Sequence, residues 1–267
     1  MTKQNTSQQD IKNILETIPN DTVIGEFSGR DSVAAILKAL EDASIQHILP
    51  VASLAPTEYG DFQSLEKNYQ QLVIRVKDLY GEDKTIFPLI YYSNPDLWSI
   101  INGRFVNDIH RKFDFYSPCI GCHAYFHLLR VPMALKLGKK IISGERESHD
   151  GRIKINQLSS SLSAYKKITE HFGVELLIPL RYMEDGDEVE KLIGWEWQEG
   201  KDHPSCVYSG NYKDIHGRTI YDEEKIQAYL KNFLYPVCIQ LGEVILKVEN
   251  PNKSEMVEAL KRIGDTW

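Results

Sequence analysis

The sequence predicts an α/β fold: an open, mostly parallel, doubly wound sheet with helices on both faces and a smaller C-terminal extension. Three observations predict it. Short apolar runs alternate with amphipathic segments of roughly ten to twenty residues, the pattern of βαβ units. The first clear run ends in a glycine turn that leads straight into a helix. The composition, 42% hydrophobic and 26% charged over 267 residues, supplies a core for one large or two small domains.

Ile11, Ile14, Leu15 and Ile18 follow i, i+3, i+4, i+7 spacing, so an amphipathic helix opens the chain and Pro19-Asn20-Asp21 ends it. Thr22 to Phe27 reads as a buried strand, Ser28-Gly29-Arg30 as a tight turn, and Asp31 to about Asp42 as a helix. His47 to Ala52 is a second strand. A helix from about Asp61 to Tyr80 and a strand from Thr85 to Tyr91 repeat the pattern. A helix from about Asp96 to Lys112 follows. Cys119-x-x-Cys122 lies beyond Ser117-Pro118, ahead of a helix from about His123 to Leu137. Lys140 to Ser143 is a strand, Asn156 to Phe172 a helix and Val174 to Leu180 a strand. The region after Tyr182 is less regular. Trp195 and Trp197 alternate in strand fashion and read as packing, and a helix runs from about Asp222 to Phe233. Residues 1–210 are expected to form the α/β domain, and 211–267 a mainly helical extension that completes a pocket or a dimer interface.

Thirty-one basic residues against 38 acidic ones leave a formal charge of −7, which excludes a general polyanion binder. No apolar run is long enough to span a membrane. Met1 to Asp10 is polar, unlike a secretory signal, so a cytoplasmic location is expected. Four cysteines are too few for a disulfide scaffold.

The most informative stretch is Gly25-Glu26-Phe27-Ser28-Gly29-Arg30-Asp31-Ser32. A buried strand, a glycine turn and a helix beginning with Asp and Ser present backbone amides and the Ser32 hydroxyl to an anion. The plainer reading is helix capping, with Asp31 as N-cap. Neither a Walker loop nor a G-x-G-x-x-G fingerprint is present. The stretch resembles the PP-loop of the ATP pyrophosphatases: Gly29, Asp31 and Ser32 match its S-G-G-x-D-S. Phe27 and Ser28 depart from it. Ile142 to Asp150 falls where that family has a strand followed by a loop with Gly, His and Asp. Leu177-Ile178-Pro179-Leu180 with Glu188-Val189 is similar to a segment of its tRNA-thiolating members. Cys119, Cys122 and Cys206 are laid out like the cysteines of members with a [4Fe-4S] cluster. The resemblance spans about Thr22 to Gly210 and implies a HUP-type fold.

The resemblance implies ATP with Mg2+, cleaved at the α-phosphate. Ser28, Gly29, Arg30, Asp31, Ser32, Ala52, Gly144 and Arg146 would bind the nucleotide. Asp31, Glu145, His149 and Asp150 would handle metal or protons. Glu145 to Arg152 is a charged run, which by itself is most simply a solvated loop. Its place at the carboxyl edge of the sheet points instead to the site, with Glu145 or Asp150 for Mg2+, Arg146, Arg152 or Lys154 for phosphate, and His149 for protons. Pro50 to Leu54 would receive adenine and ribose.

For the cysteines four readings stand. Cys119, Cys122 and Cys206 hold a [4Fe-4S] cluster with one iron open. Alternatively they bind Zn2+ with Cys238 or His123 as fourth ligand. The third reading is persulfide or disulfide chemistry, and the fourth is inert burial. Cys206 lies in a polar loop, His203 to Asn211, whereas Cys238 sits among apolar residues and reads as core. His123 and His127, four apart, read as helix surface or as support to a ligand. The expected activity is ATP-dependent sulfur transfer. A carbonyl or amide oxygen of a small molecule or nucleobase is adenylated, and sulfur then replaces it. Sulfide or a sulfur donor protein supplies the sulfur, and tRNA is the alternative substrate. Rival readings are a zinc-dependent amide- or nitrile-forming ligase and a non-catalytic nucleotide or redox sensor.

Overall fold

The computed structural model describes residues 5–60, 62–197, 204–248 and 250–264; Asp61 and His203 lie outside them. In chain order the elements are α1 (Gln8–Thr17), β1 (Val23–Glu26), α2 (Arg30–Ala39), β2 (His47–Ser53), β3 (Glu58–Tyr59), α3 (Gln63–Tyr80), β4 (Thr85–Ile86), β5 (Ile90–Tyr92), α4 (Pro95–Asn102), α5 (Val106–Phe113), α6 (Pro118–Lys136), β6 (Lys140–Ile142), a 3-10 turn (Ile155–Gln157), α7 (Ser159–His171), β7 (Glu175–Leu177), α8 (Gly186–Ile193), β8 (Ser205–Cys206), α9 (Glu223–Tyr229), a π-helical segment (Leu230–Leu234), α10 (Tyr235–Lys247) and α11 (Lys253–Gly264).

The main sheet is wholly parallel and runs β4/β5-β2-β1-β6-β7, with β4 and β5 in succession along one edge of β2. Helices cover both faces, the open doubly wound arrangement the sequence predicts. Alternation along β1 divides the core. Val23 joins α2, α3 and α8 on one face, and Ile24 joins α4, α6, α7 and α10 on the other. The β1–α2 seam is tight: a Cβ on Gly25 would lie 2.9 Å from Ile36 Cδ1 and from Ile48 Cγ2. Fully buried Ile24, Ile36 and Ile48 each contribute about 1.5–3 kcal/mol by leaving water.

The order places β2 on one side of β1 and β6 on the other. Chain connections therefore diverge between β1 and β6, and the loops leaving their carboxyl ends flank the crevice where open α/β sheets bind ligands.

Several boundaries differ from expectation. The strand expected from Thr85 to Tyr91 is two pieces, because Pro88 offers no N–H to the ladder. The expected 96–112 helix breaks at Gly103, whose Cβ would lie 2.9 Å from Ser99 O, and α5 starts afresh. Cys119 and Cys122 lie inside the first turn of α6, not in a loop before it, because Pro118 at N1 starts the helix earlier. Trp195 and Trp197 form no strand; Trp197 is buried against the α2 face of the core. The last helix continues past Phe233 through the π-helical segment into α10, where Val237, Cys238 and Leu241 are fully buried. These residues share the core of α6 and α7. Among the described residues no helix is long and apolar enough to cross a membrane.

Candidate functional site

The turn after β1 is organised by one hydroxyl. Ser32 Oγ accepts the amides of Ser28 at 2.9 Å and Gly29 at 3.1 Å, and donates to Gly29 O at 2.7 Å. Gly29, not Asp31, is the N-cap of α2, and it makes no side-chain cap. The positive end of α2 therefore opens on the β1/β6 crevice. Gly144 packs directly on this start: a Cβ there would lie 2.5 Å from Ser32 Cα. Only a glycine lets the β6 loop approach so closely.

Asp31 is clamped. Its Oδ1 accepts from Arg30 Nε at 3.1 Å and its Oδ2 from Arg146 Nε at 3.0 Å. Burial acts to raise its pKa, but Arg146 and Arg30 outweigh it and hold the carboxyl below the usual range. Arg146 is fully buried. Its Nη1 donates to Met183 O and Glu184 O at 3.1 Å, and its Nη2 to His149 Nδ1 at 3.0 Å. With its guanidinium so engaged, Arg146 positions Asp31 rather than facing a phosphate. His149 Nε2 donates to Gln157 Oε1 at 2.6 Å. Burial and the cations Lys154 and Arg146 push its pKa down to about 4, so it is neutral at pH 7 with its proton on Nε2.

Glu145 turns inward. Its Oε1 accepts from His123 Nδ1 at 2.7 Å and His127 Nε2 at 3.2 Å. The Ser143 hydroxyl lies 2.9 Å from Glu145 Oε2 and 2.8 Å from Glu26 Oε2, and its one proton serves one of them at a time. Burial opposes the charge on Glu145, but His127 and His123 hold its pKa far below the carboxylate range. Asn156 Nδ2 donates to His123 Nε2 at 2.8 Å, which fixes the proton of His123 on Nδ1. His127 is buried, so of the two expected roles, helix surface or support to a ligand, the surface one does not hold for it. One turn on, Arg130 Nε donates to Ser53 Oγ at 3.0 Å, and Arg130 Nη1 lies 3.9 Å from Glu26 Oε2. The inner face of α6 thus carries His123, His127 and Arg130 onto the ends of β1, β2 and β6.

The same helix carries two cysteines. Positions i and i+3 place Cys119 and Cys122 on one face of its first turn. Gly121 is required there because a Cβ would strike Asn102 Oδ1. Cys206 arrives from the far end of the chain on β8, which pairs antiparallel with β3. Trp98 Nε1–H points at Cys122 Sγ at 3.3 Å, and Tyr208 N–H at Cys206 Sγ at 3.4 Å. Cys119 donates to Asn211 Oδ1 at 3.5 Å. Burial and then Cys206 push the Cys119 thiol up to about 12. Burial chiefly raises Cys122, with Glu58, Cys206 and Cys119 adding to it. The three thiols lie within electrostatic reach of one another. Yet among the described residues no three His, Cys, Asp or Glu side chains close on a single metal ion.

The structure brings Ser28, Gly29, Arg30, Asp31, Ser32, Gly144, Arg146 and His149 together at the crevice. Ala52 is buried in β2, paired with Tyr91. Asp150 stands apart: its Oδ1 accepts from Gly186 N at 2.7 Å and secures the start of α8. Cys238 is core, its thiol raised by burial. Glu58 escaped the sequence reading. It accepts the Ala55 amide at 2.6 Å, and burial raises its pKa to about 7. A lone Glu in a loop gives no signal in sequence; only the pairing of β3 with β8 marks it. An open cleft of about 460 Å3 also lies beyond β7, lined by Lys166, Arg181, Tyr182 and Glu188.

No protein-family model matches the chain. The uncharacterized protein MJ0009 of Methanocaldococcus jannaschii is 44% identical over 221 residues, 83% of this chain and 79% of that protein. Among solved structures, the U34-tRNA thiolase NcsA from Methanococcus maripaludis with its [4Fe-4S] cluster aligns with 95% of this chain and 86% of its own, at a TM-score of 0.34 and 14% identity. That likeness is too distant to carry a functional argument.

Proposed function

The chain belongs to the same family as MJ0009 of Methanocaldococcus jannaschii, and we propose that it is a PP-loop enzyme of ATP-dependent sulfur transfer. Its reaction would convert a carbonyl or amide oxygen of a small molecule or nucleobase into a thiocarbonyl. The observation that carries the reading is α6. Its first turn holds Cys119 and Cys122, and its next turns hold Glu145 through His123 and His127. Glu145 directly follows Gly144, which packs on the start of α2. In this reading a sulfur centre and an anion cradle would share one frame at the carboxyl ends of the strands.

In this reading the start of α2, with Ser28, Gly29 and Ser32, receives the phosphates. Mg2+ accompanies the nucleotide. Asp31 stays ionised between Arg30 and Arg146, and neutral His149 keeps that clamp in register. The substrate oxygen attacks the α-phosphorus and pyrophosphate leaves. Hydrosulfide then adds to the activated carbon, AMP departs with the oxygen, and one proton is released.

The donor set fits a group wider than one ion. The thiols share an electrostatic neighbourhood without closing on a point, and N–H donors address Cys122 and Cys206, as suits cluster thiolates. Cys119, Cys122 and Cys206 would hold a [4Fe-4S] cluster, which supplies an open iron for the sulfide to be transferred. The net charge of −7 favours a small molecule or free base over tRNA.

Anaerobic purification with iron, sulfide and zinc analysis of wild type and Cys206→Ala tests the reading. Iron and sulfide in the wild type, lost in the variant, support it. A colourless protein with one zinc per chain overturns it in favour of a ligase. Pyrophosphate release raised by bulk tRNA would move the substrate to RNA.

A further inference from the structure

The ribbon that delivers Cys206 also delivers a carboxylate. Glu58 of β3 stands opposite Cys206 of β8. Directly opposed residues of an antiparallel pair put their side chains on one face, with Cβ atoms about 4.5–5.5 Å apart. The Glu58 carboxylate also lies within electrostatic reach of the Cys122 thiol. It is not randomly placed, since its Oε2 accepts the Ala55 amide at 2.6 Å and so caps its own turn. The other ionisable groups around it include His123, Arg130 and Glu26.

We propose that Glu58 is the fourth side chain of the cysteine centre: a carboxylate donor for the iron that three cysteines leave open, replaced when the sulfur to be transferred arrives. The proposal rests on the iron–sulfur reading above. A carboxylate oxygen is a hard ligand and sulfide a soft one, so on a thiolate-bound iron the carboxylate is the ligand that yields. The exchange balances: the Glu58 oxygen–iron bond breaks as a sulfur–iron bond to hydrosulfide forms. One monoanion replaces another, and no oxidation state changes. The freed carboxylate keeps its Ala55 amide and remains beside Arg130. Glu58 thereby shields the open iron between turnovers, and the site takes up the one negative charge of the arriving hydrosulfide, with Arg130 beside the freed carboxylate.

The test uses full-length wild type and Glu58→Gln, both reconstituted anaerobically with ferrous iron and sulfide and then desalted. Iron per chain, the electron paramagnetic resonance spectrum of the dithionite-reduced protein, and its titration with sodium sulfide are read. Glu58→Gln keeps the oxygen that accepts the Ala55 amide but removes the anionic donor. The expected result is an unchanged iron count, a spectrum that differs from wild type before sulfide and coincides with it at saturation, and half-saturation at about tenfold lower sulfide, because no internal ligand competes. A spectrum and titration identical to wild type overturn the proposal while leaving the iron–sulfur reading intact. A wild type that assembles no cluster overturns both. Glu58→Asp, with its carboxylate withdrawn by one methylene, substitutes if the glutamine variant does not fold; the proposal requires its half-saturation to differ from wild type.

Discussion

Gly144 lies against Ser32, so closely that a Cβ on Gly144 would stand 2.5 Å from the Ser32 Cα. The loop leaving β6 and the helix leaving β1 are in backbone contact, and the crevice between them has one width. Gly144→Ala must push the two apart. The expected cost is about 1–3 kcal/mol of stability, with loss of the thermal shift that ATP gives the wild type. Differential scanning fluorimetry with and without Mg-ATP reads both. An unchanged ATP shift would show that the crevice is not the nucleotide site.

Ser32 holds the turn through its hydroxyl, which accepts two amides. Ser32→Ala leaves those two N–H groups without their partner, at about 1–3 kcal/mol. Isothermal titration with a non-hydrolysable ATP analogue is expected to show affinity weakened about tenfold or more, a change of about 1.4 kcal/mol. Ser32→Thr, which keeps the hydroxyl, is expected to bind more tightly than Ser32→Ala.

His149 gives the stability a pH dependence of definite sign. Its folded pKa is about 4 against an ordinary 6.5. The unfolded chain therefore binds the extra proton first, and stability is lost as pH falls from about 6.5 toward 4, by at most about 1.4 kcal/mol per unit. Asp31, whose pKa is lowered, adds stability that is present above its unfolded value and lost only at lower pH. Urea unfolding of wild type and His149→Gln between pH 4.5 and 7 isolates the histidine: the variant is expected to lose most of the slope in that window.

Glu145 is a fully buried anion held by two histidines and a serine. Glu145→Leu leaves His123 and His127 without their acceptor, and is expected to destabilise the protein by about 3–5 kcal/mol. Glu145→Gln retains one acceptor oxygen and is expected to cost less. Chemical denaturation ranks the two, and the opposite ranking would deny the clamp.

Much of the sheet was legible because apolar runs and helical periods are local signals. β1, β6 and β7 fall within their expected segments, β2 runs one residue past its own, and the glycine turn at Gly29 opens a helix as expected. What misled was also local. Pro88 split an apparent strand, Gly103 split an apparent helix, and Pro118 drew the cysteines into α6. What was illegible depends on contacts between distant residues. The inward turn of Glu145 follows from His123 and His127, whose spacing in sequence leaves open whether they face the surface or support a ligand. The engagement of Arg146 depends on carbonyls at Met183 and Glu184. Glu58 gains meaning only opposite Cys206.

Beside that last pairing Cys206 Sγ also meets Thr57 Oγ1, 149 positions away in the chain, and the ladder itself is two strands of two residues each. So short a ladder has little stability of its own. The entropy of joining its ends is set by the whole intervening loop. A group bound by Cys119, Cys122 and Cys206 would act as a staple across that loop. Its removal is expected to release the 204–211 segment to proteases while the parallel sheet stays intact.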